Sequence, residues 1–149
     1  MATVKQVQGT RTALTIAALA TLASATFCAS SAYNCTTNQP LDVIVEVDVA
    51  TTNTPAGNKQ VVVYIQESLD GSNYRSGPTS GTSLTDQPNL KYLGTVPINS
   101  SSVTERATFS ILQALGYVPQ YFQIVCLNDL GVALTSGSAY TAEISATVA

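Results

Sequence analysis

The chain has 149 residues, a formal net charge of -3 and only 10% charged residues, against roughly 25% in typical soluble domains. A chain of this length forms one domain with its own core, and its many Thr, Ser and Tyr residues are typical of strands and turns. The acidic balance disfavours binding to nucleic acid phosphates or to anionic lipid, so we expect neither nucleic acid nor membrane as a partner.

The first ten residues, MATVKQVQGT, are polar and offer few apolar anchors. They predict a flexible N-terminal arm over residues 1–10 that a partner orders, followed by a single β-sandwich domain over residues 11–149. The predicted partner interface takes polar and aromatic residues from the arm, from the start of the domain and from the positions directly before a long polar loop: Lys5, Gln6, Arg11, Tyr74 and Arg75.

The segment TRTALTIAALATLASATFCASSAYNC has the outline of a secretory signal peptide, with basic residues before an apolar run and small residues after it. Thr and Ser interrupt this run at short intervals, so it never reaches the about 20 apolar residues of a membrane span. Alternation in RTALTIA and ATFCASSAYN indicates short strands, and ALATLAS between them indicates one helical turn. We therefore expect a folded, retained segment; an exported protein whose leader is removed is the alternative.

Two strong strand patterns follow, separated by the loop TTNTPAGNK. In LDVIVEVDVA the apolar row from Leu41 to Val49 alternates with Asp42, Glu46 and Asp48, which predicts one buried and one solvated face. In QVVVYIQESL both alternating rows contain apolar residues, so both faces are expected to be partly covered. The Asn, Pro and Gly residues of the loop favour an antiparallel pair of these two strands.

The second half of the chain continues with turns and strands. LDGSNY contains an Asp-Gly turn, and residues 76–89 predict a long exposed loop that is too polar to contribute to a core. LKYLGTVPI, VTERATFSI and YVPQYFQIVCLND predict strands, whereas SILQALG predicts a short helix that ends at Gly116. In the last strand, SAYTAEISATVA, we expect the row that contains Tyr140 and Ile144 to face inward.

These elements predict an all-β fold, an antiparallel β-sandwich with one short helix. The pattern alone leaves an immunoglobulin-like and a jelly-roll topology open. The helical turn between two late strands and the long crossing loop favour the jelly roll.

The sequence offers little for catalysis or metal binding. It contains no histidine, which removes the commonest general base and the usual partner of a nucleophilic Ser or Cys. The acids Asp42, Glu46 and Asp48 are explained by a solvated sheet face, and Asp70 with Asn73 by turn chemistry rather than by calcium. We expect no enzymatic activity, no cofactor and no metal ion.

The three cysteines form no C-x-x-C pair, and without histidine they provide no ordinary zinc site. They are expected to be buried small residues. A bridge between Cys28 and Cys35 stays open as an alternative.

The order of the segments resembles small structural proteins of tailed bacteriophages. The likeness covers residues 14–134 and rests mainly on VPQYFQIVCLNDLGVAL, in which a proline precedes an aromatic strand that ends in an Asn/Asp and Gly turn. The resemblance implies a capsid decoration, or cement, protein with a β-sandwich or jelly-roll fold. Such a protein binds the outer surface of an icosahedral shell across neighbouring subunits of the major capsid protein, and we expect it to act as a homodimer or homotrimer.

The same resemblance implies a location on the capsid surface of the virion, with assembly in the host cytoplasm. Two alternatives stay open. The first is a tail or head-to-tail connector component of the same virion, and the second is an exported carbohydrate-binding or adhesin module.

Overall fold

The computed structural model describes residues 3–82 and 87–148, which fold into a sandwich of two antiparallel sheets. The strands are β1 (Val4–Gln8), β2 (Thr12–Leu14), β3 (Phe27–Ala29), β4 (Tyr33–Asn34), β5 (Asp42–Ala50), β6 (Gln60–Ser68), β7 (Ser80–Gly81), β8 (Lys91–Pro97), β9 (Glu105–Ser110), β10 (Tyr121–Asp129) and β11 (Ser136–Val148). The described part also contains helix α1 (Ile111–Leu115) and 3₁₀ turns at Ala17–Thr21 and Gln87–Asn89.

The strand order is that of a jelly roll. Sheet A runs β1-β11-β5-β9, with β2 also on β11, and sheet B runs β7-β3-β10-β6-β8, with β4 also on β10. The early strands pair with the late strands in reverse order: β1 and β2 with β11, β3 and β4 with β10, β5 with β9, and β6 with β8. A long antiparallel ribbon rolled into two facing sheets gives this pairing. The predicted all-β sandwich of jelly-roll type is confirmed.

The prediction that β5 and β6 form an antiparallel pair is wrong. β5 lies in sheet A between β11 and β9, whereas β6 lies in sheet B between β10 and β8. Both strands contribute a fully buried row to the common core, represented by Val45 and Val63. The loop 51–59 therefore crosses from one sheet to the other. Alternation of apolar residues identifies the buried face of a strand, but it does not identify the neighbouring strand.

The Ala/Leu-rich segment that follows the first strand belongs to the core. Leu14, Ile16, Leu19 and Leu22 are buried in the main apolar cluster, and the 3₁₀ turn Ala17–Thr21 lies where one helical turn was predicted. Leu19 packs so closely on β11 that a Cβ on Gly137 would lie 2.6 Å from the Leu19 Cγ. The expectation of a folded segment thus agrees with the structure of these residues.

The inward face of β11 is the opposite of the predicted one. Ala139 and Thr141 lie opposite the core residues Val47 and Val45 of β5, so these two face the core. Tyr140 lies opposite Glu46 and faces outward. The inner row of β11 consists of small and polar residues because the N-terminal segment, with Leu19, fills the space beneath it. The larger apolar side chains of β11 therefore lie on its outer face, so residue size alone predicted the wrong row as the buried one.

Both faces of β6 are covered, as predicted. A second apolar cluster lies on the outer face of sheet B and contains Val62, Tyr64 and Leu90. Part of the loop 76–89, predicted to be exposed throughout, lies over this cluster, with Pro78 buried and β7 paired to β3. The buried Gln66 Nε2 donates to the Arg75 carbonyl at 2.9 Å and so holds the start of the loop against the sheet. Residues 83–86 of this predicted loop lie outside the described residues.

The predicted N-terminal arm is partly ordered as a strand. Residues 4–8 form β1, which pairs with residues 144–148 of β11, although every side chain of β1 is exposed. Backbone hydrogen bonding to β11, rather than burial, holds this strand. The N–H and C=O groups of a polar segment can pair with the free edge of a neighbouring strand. The pairing of β5 with β11 ends at Asp42, which lies opposite Ile144, so residues 145–148 of β11 have no partner in β5. The β1–β11 ribbon therefore projects past the end of the sandwich.

Candidate interaction surface

One end of the sandwich, which we call the α1 end, is assembled from the start of β5, the end of β6, α1 and the loops 35–41, 69–75 and 116–120. The Asp42 carboxylate accepts the Ser110 hydroxyl at 2.6 Å and the Leu112 backbone N–H at 2.9 Å, which ties α1 to β5. The Cys35 N–H donates to the Gln120 carbonyl at 2.8 Å and ties two of the loops together. These bonds hold α1 against β5 and the loops 35–41 and 116–120 against each other.

Helix α1 has the boundaries that the sequence predicts. The Ser110 side chain accepts the Gln113 N–H at 3.0 Å, and Gly116 ends the helix with φ 80°. A serine cap and a glycine in the left-handed region are the usual signals at these positions. The first helical residue, Ile111, is buried, whereas the second, Leu112, lies on the surface.

Exposed apolar side chains gather at the α1 end. Four large ones are Leu69 (83% exposed), Tyr117 (50%), Leu41 (49%) and Leu112 (41%). The projecting ribbon adds the exposed Val4, Val7 and Val148. Elsewhere the described residues expose Tyr92 of β8, opposite Tyr64, and, at the opposite end, Val103 in the loop before β9. A concentration of exposed apolar side chains is typical of a protein-binding surface.

Two clefts open at this end. The first, of about 280 Å³, lies between the loops 35–41 and 116–120 and is lined by Cys35, Thr36, Gln39, Pro40, Val118, Pro119 and Gln120. Burial raises the pKa of the Cys35 thiol to about 11, with a smaller contribution from Glu143, so the thiol stays protonated at neutral pH. The lining therefore carries no charged side chain.

The second cleft, of about 460 Å³, contains one of the predicted interface residues, Arg75, together with Glu67, Leu69 and Tyr117. Arg75 forms an ion pair with Glu67, so its charge is already compensated within the chain. Tyr74 is partly buried, and its hydroxyl has no hydrogen-bond partner. Arg75 therefore lies at the α1 end, and Tyr74 directly precedes it in the chain.

Asp70 organises the rim of the second cleft. Its Oδ1 accepts the backbone N–H of Asn73 at 2.7 Å and of Ser72 at 2.9 Å, and its Oδ2 accepts the Asn73 side chain at 2.7 Å. These bonds, first of all the one from the Asn73 backbone, hold the pKa of Asp70 well below its usual range. The carboxylate is thus used to close a turn, as the sequence indicates.

The predicted contact residue Arg11 lies on the outer face of sheet A. Its Nε donates to Glu46 Oε1 at 2.7 Å, one terminal nitrogen donates to Asp48 Oδ2 at 3.0 Å, and its guanidinium stacks 3.1 Å from the ring centroid of Tyr140. Arg106 also binds Asp48, with Nε at 2.8 Å from Oδ1. Glu46 and Asp48, expected on a solvated face, are therefore covered by arginines, and Arg11 anchors the start of the domain.

Lys5 and Gln6 lie on β1, where their side chains are exposed. The structure therefore distributes the predicted interface over the ribbon, the Arg11 cluster and the second cleft. The sequence did not identify Leu41, Leu69 and Leu112 as exposed interface residues, because none of them breaks the alternation of a strand. Only Leu69 carried a signal of exposure, since it is a leucine directly before the Asp-Gly turn.

Within the described ranges, no group of three or more His, Cys, Asp or Glu side chains could hold a metal ion. No helix in the same part of the chain is long and apolar enough to cross a membrane. Compared with known proteins, the chain matches no family model and no curated protein sequence.

Proposed function

We propose that the protein is a structural protein of a tailed-bacteriophage virion, a capsid decoration protein without enzymatic activity. The observation that carries the proposal is the concentration of exposed apolar side chains, Leu41, Leu69, Leu112 and Tyr117, at the α1 end of the jelly roll. The resemblance of VPQYFQIVCLNDLGVAL to small phage structural proteins supports the same function. The strand β10 in this segment pairs with β6 and β3 in the centre of sheet B.

In this function the α1 end binds the outer surface of the icosahedral shell, where neighbouring subunits of the major capsid protein meet. Covering exposed leucine and tyrosine side chains with a partner lowers the free energy, and the charge of Arg75 in the second cleft is already compensated by Glu67. Each contact is small. Repetition over a symmetric shell raises the effective concentration of neighbouring copies and converts modest affinities into stable decoration.

The test uses shells purified from the native source and stripped of this protein. Wild-type protein should bind and raise the temperature at which the shells disrupt, whereas L69S and Y117S should bind at least ten-fold more weakly. V103S changes an equally apolar, exposed residue at the opposite end and should bind like wild type. Equal binding by all the variants would refute the α1 end as the docking surface. No binding by wild type would refute the shell as the partner.

A second candidate is an exported carbohydrate-binding module, favoured by the half-exposed Tyr117 next to Asn73 and Arg75 in one cleft. An exposed aromatic ring beside hydrogen-bonding side chains suits a sugar. Immunogold labelling of intact virions separates the candidates: label on the shell supports decoration, and label on the tail or connector supports the related virion function. Unlabelled virions together with Tyr117-dependent binding to a glycan array would support the exported module.

A further inference from the structure

The free edge of β1 presents unpaired backbone groups. The Gly9 N–H donates to the Glu143 carbonyl at 2.7 Å, whereas the next carbonyl, that of Ile144, accepts from Leu41 on the other side of β11. Hydrogen bonds alternate along an antiparallel strand, so Lys5 and Val7 bond to β11. The backbone N–H and C=O groups of the even residues of β1 consequently point away from the sheet.

Such an edge is a template for another strand. Natural edges are usually protected by proline, by a bulge within the strand, by a covering loop or by charged side chains, above all lysine. The described chain places no proline, bulge or covering loop on Val4–Gln8, whose five residues are all exposed and all paired to β11 in one continuous register. Lys5 is the one charged residue of the strand.

We propose that a second copy of this chain occupies the edge, through antiparallel pairing of the two β1 strands about a two-fold axis at Gln6. Gln6 then lies opposite Gln6 of the second copy, Val4 opposite Gln8, and Lys5 opposite Val7. The outward backbone groups of Val4, Gln6 and Gln8 all find partners in this register. The two sheets A become one continuous sheet.

The edge is self-complementary, which favours a second copy over an unrelated strand. The two-fold register opposes no like charges, because Lys5 faces an apolar residue, and the two Gln6 side chains can hydrogen-bond to each other. An isologous contact satisfies both free edges at once and then closes, which prevents further growth at this edge. Among the described residues, no strand other than β1 pairs with β11 beyond Ile144, which leaves the outer edge of β1 available to the second copy.

The size of the contact predicts a weak dimer. Two paired five-residue strands bury less than the roughly 1,000 Å² expected of a stable interface. Dimerisation in solution should therefore depend on protein concentration. This inference is measured on the isolated chain and does not depend on shell binding.

Sedimentation velocity over a concentration series tests the pairing. Wild type and Q6A should both shift from monomer to dimer as the concentration rises, because alanine keeps the backbone N–H. Q6P should remain monomeric at every concentration, because proline removes an N–H that points outward and is not used in pairing with β11. An unchanged circular dichroism melting curve for Q6P shows that the domain is intact.

Cross-linking provides an independent measurement. Under mild oxidation Q6C should form a covalent dimer several-fold faster than K5C, because only position 6 faces itself across the axis. The native thiols are buried and do not compete.

Three results would overturn the proposal: a wild type that is monomeric throughout, a Q6P dimer as strong as that of wild type, or equal cross-linking of Q6C and K5C. If wild type is monomeric but Q6P detaches from shells, the edge binds a strand of the shell instead. If L69S abolishes the dimer and Q6P leaves it intact, the dimer contact lies at the α1 end.

Discussion

Cys28 of β3 and Cys126 of β10 lie directly opposite each other, with both side chains buried in the core between the sheets. The hydrogen bond between the two thiols and their burial raise the pKa of Cys126 well above its usual value. All three cysteines are free, and Cys28 has Cys126 rather than Cys35 as its cross-strand neighbour. The thiols therefore pack in the interior as small apolar groups, as their number and spacing predict.

The native protein should resist alkylation at neutral pH. Burial excludes the reagent, and the raised pKa values of Cys35 and Cys126 keep their thiolate fractions low. Intact-mass spectrometry after treatment with iodoacetamide should show an unmodified chain, and three adducts once guanidinium is present. Rapid modification of Cys126 without denaturant would contradict the buried pair.

L19A should strongly destabilise the domain. The Leu19 side chain is fully buried and packs on Gly137 of β11, so its truncation leaves a cavity that costs about 2–5 kcal/mol in the free energy of unfolding. Urea denaturation followed by circular dichroism measures the change. The neighbouring Ala18 is exposed, and A18S serves as the control with a change within about 0.5 kcal/mol. Equal midpoints for the two variants would mean that this segment is not part of the core.

G94A should destabilise by overpacking. A Cβ at position 94 would lie 2.3 Å from Cε1 of Phe109, so the ring or the strand must move, at about 1–3 kcal/mol. The double variant G94A/F109L removes part of the ring and should recover a measurable share of the loss. Thermal melts of the two variants provide the comparison, and a G94A melt identical to that of wild type would show that the two sites do not touch.

The free energy of unfolding should fall in alkaline solution. Burial, together with the hydrogen bond to Glu143, raises the pKa of Tyr33 to about 12, and burial raises that of Cys35 to about 11. In the unfolded chain these groups ionise near about pH 10 and about pH 8.5, so the unfolded state loses protons first. Their stabilisation is complete below the unfolded pKa values and is lost as the pH rises towards the folded values.

Urea denaturation between neutral pH and pH 11 measures this decline. Y33F removes one of the two groups and the 2.9 Å bond from the Tyr33 hydroxyl to Glu143. The variant should be less stable at neutral pH, and its stability should fall less steeply above about pH 10, where an unfolded tyrosine ionises. A slope as steep as that of wild type would argue against the contribution of Tyr33.

Deleting residues 1–10 should leave the domain folded but weaken its attachment to shells. The side chains of β1 are all exposed, so their loss removes little buried surface, and Arg11 remains bound to Glu46 and Asp48. The melting temperature should change little, while shell occupancy should fall. Full occupancy of the shells by the truncated protein would contradict a function of this segment in attachment.

Several features followed from local sequence because they depend on neighbouring residues only. The alternating row of β5 is buried from Val43 to Val49, and the boundaries of α1 follow from Ser110 and Gly116. A period of two and a pair of helix caps specify backbone conformation directly. Leu41 departs from this rule: it continues the apolar row of β5 but lies before the strand and is exposed.

The sequence by itself determined an all-β chain of short strands and one capped helical segment, because these properties are set within a few residues. Only the tertiary structure decided that β5 and β6 lie in different sheets, that Tyr140 faces outward beneath Arg11, and that Leu69 and Leu112 lie at one end. Each of these depends on contacts between residues far apart in the chain. Strand order and register arise from the packing of both sheets together, which no local pattern contains.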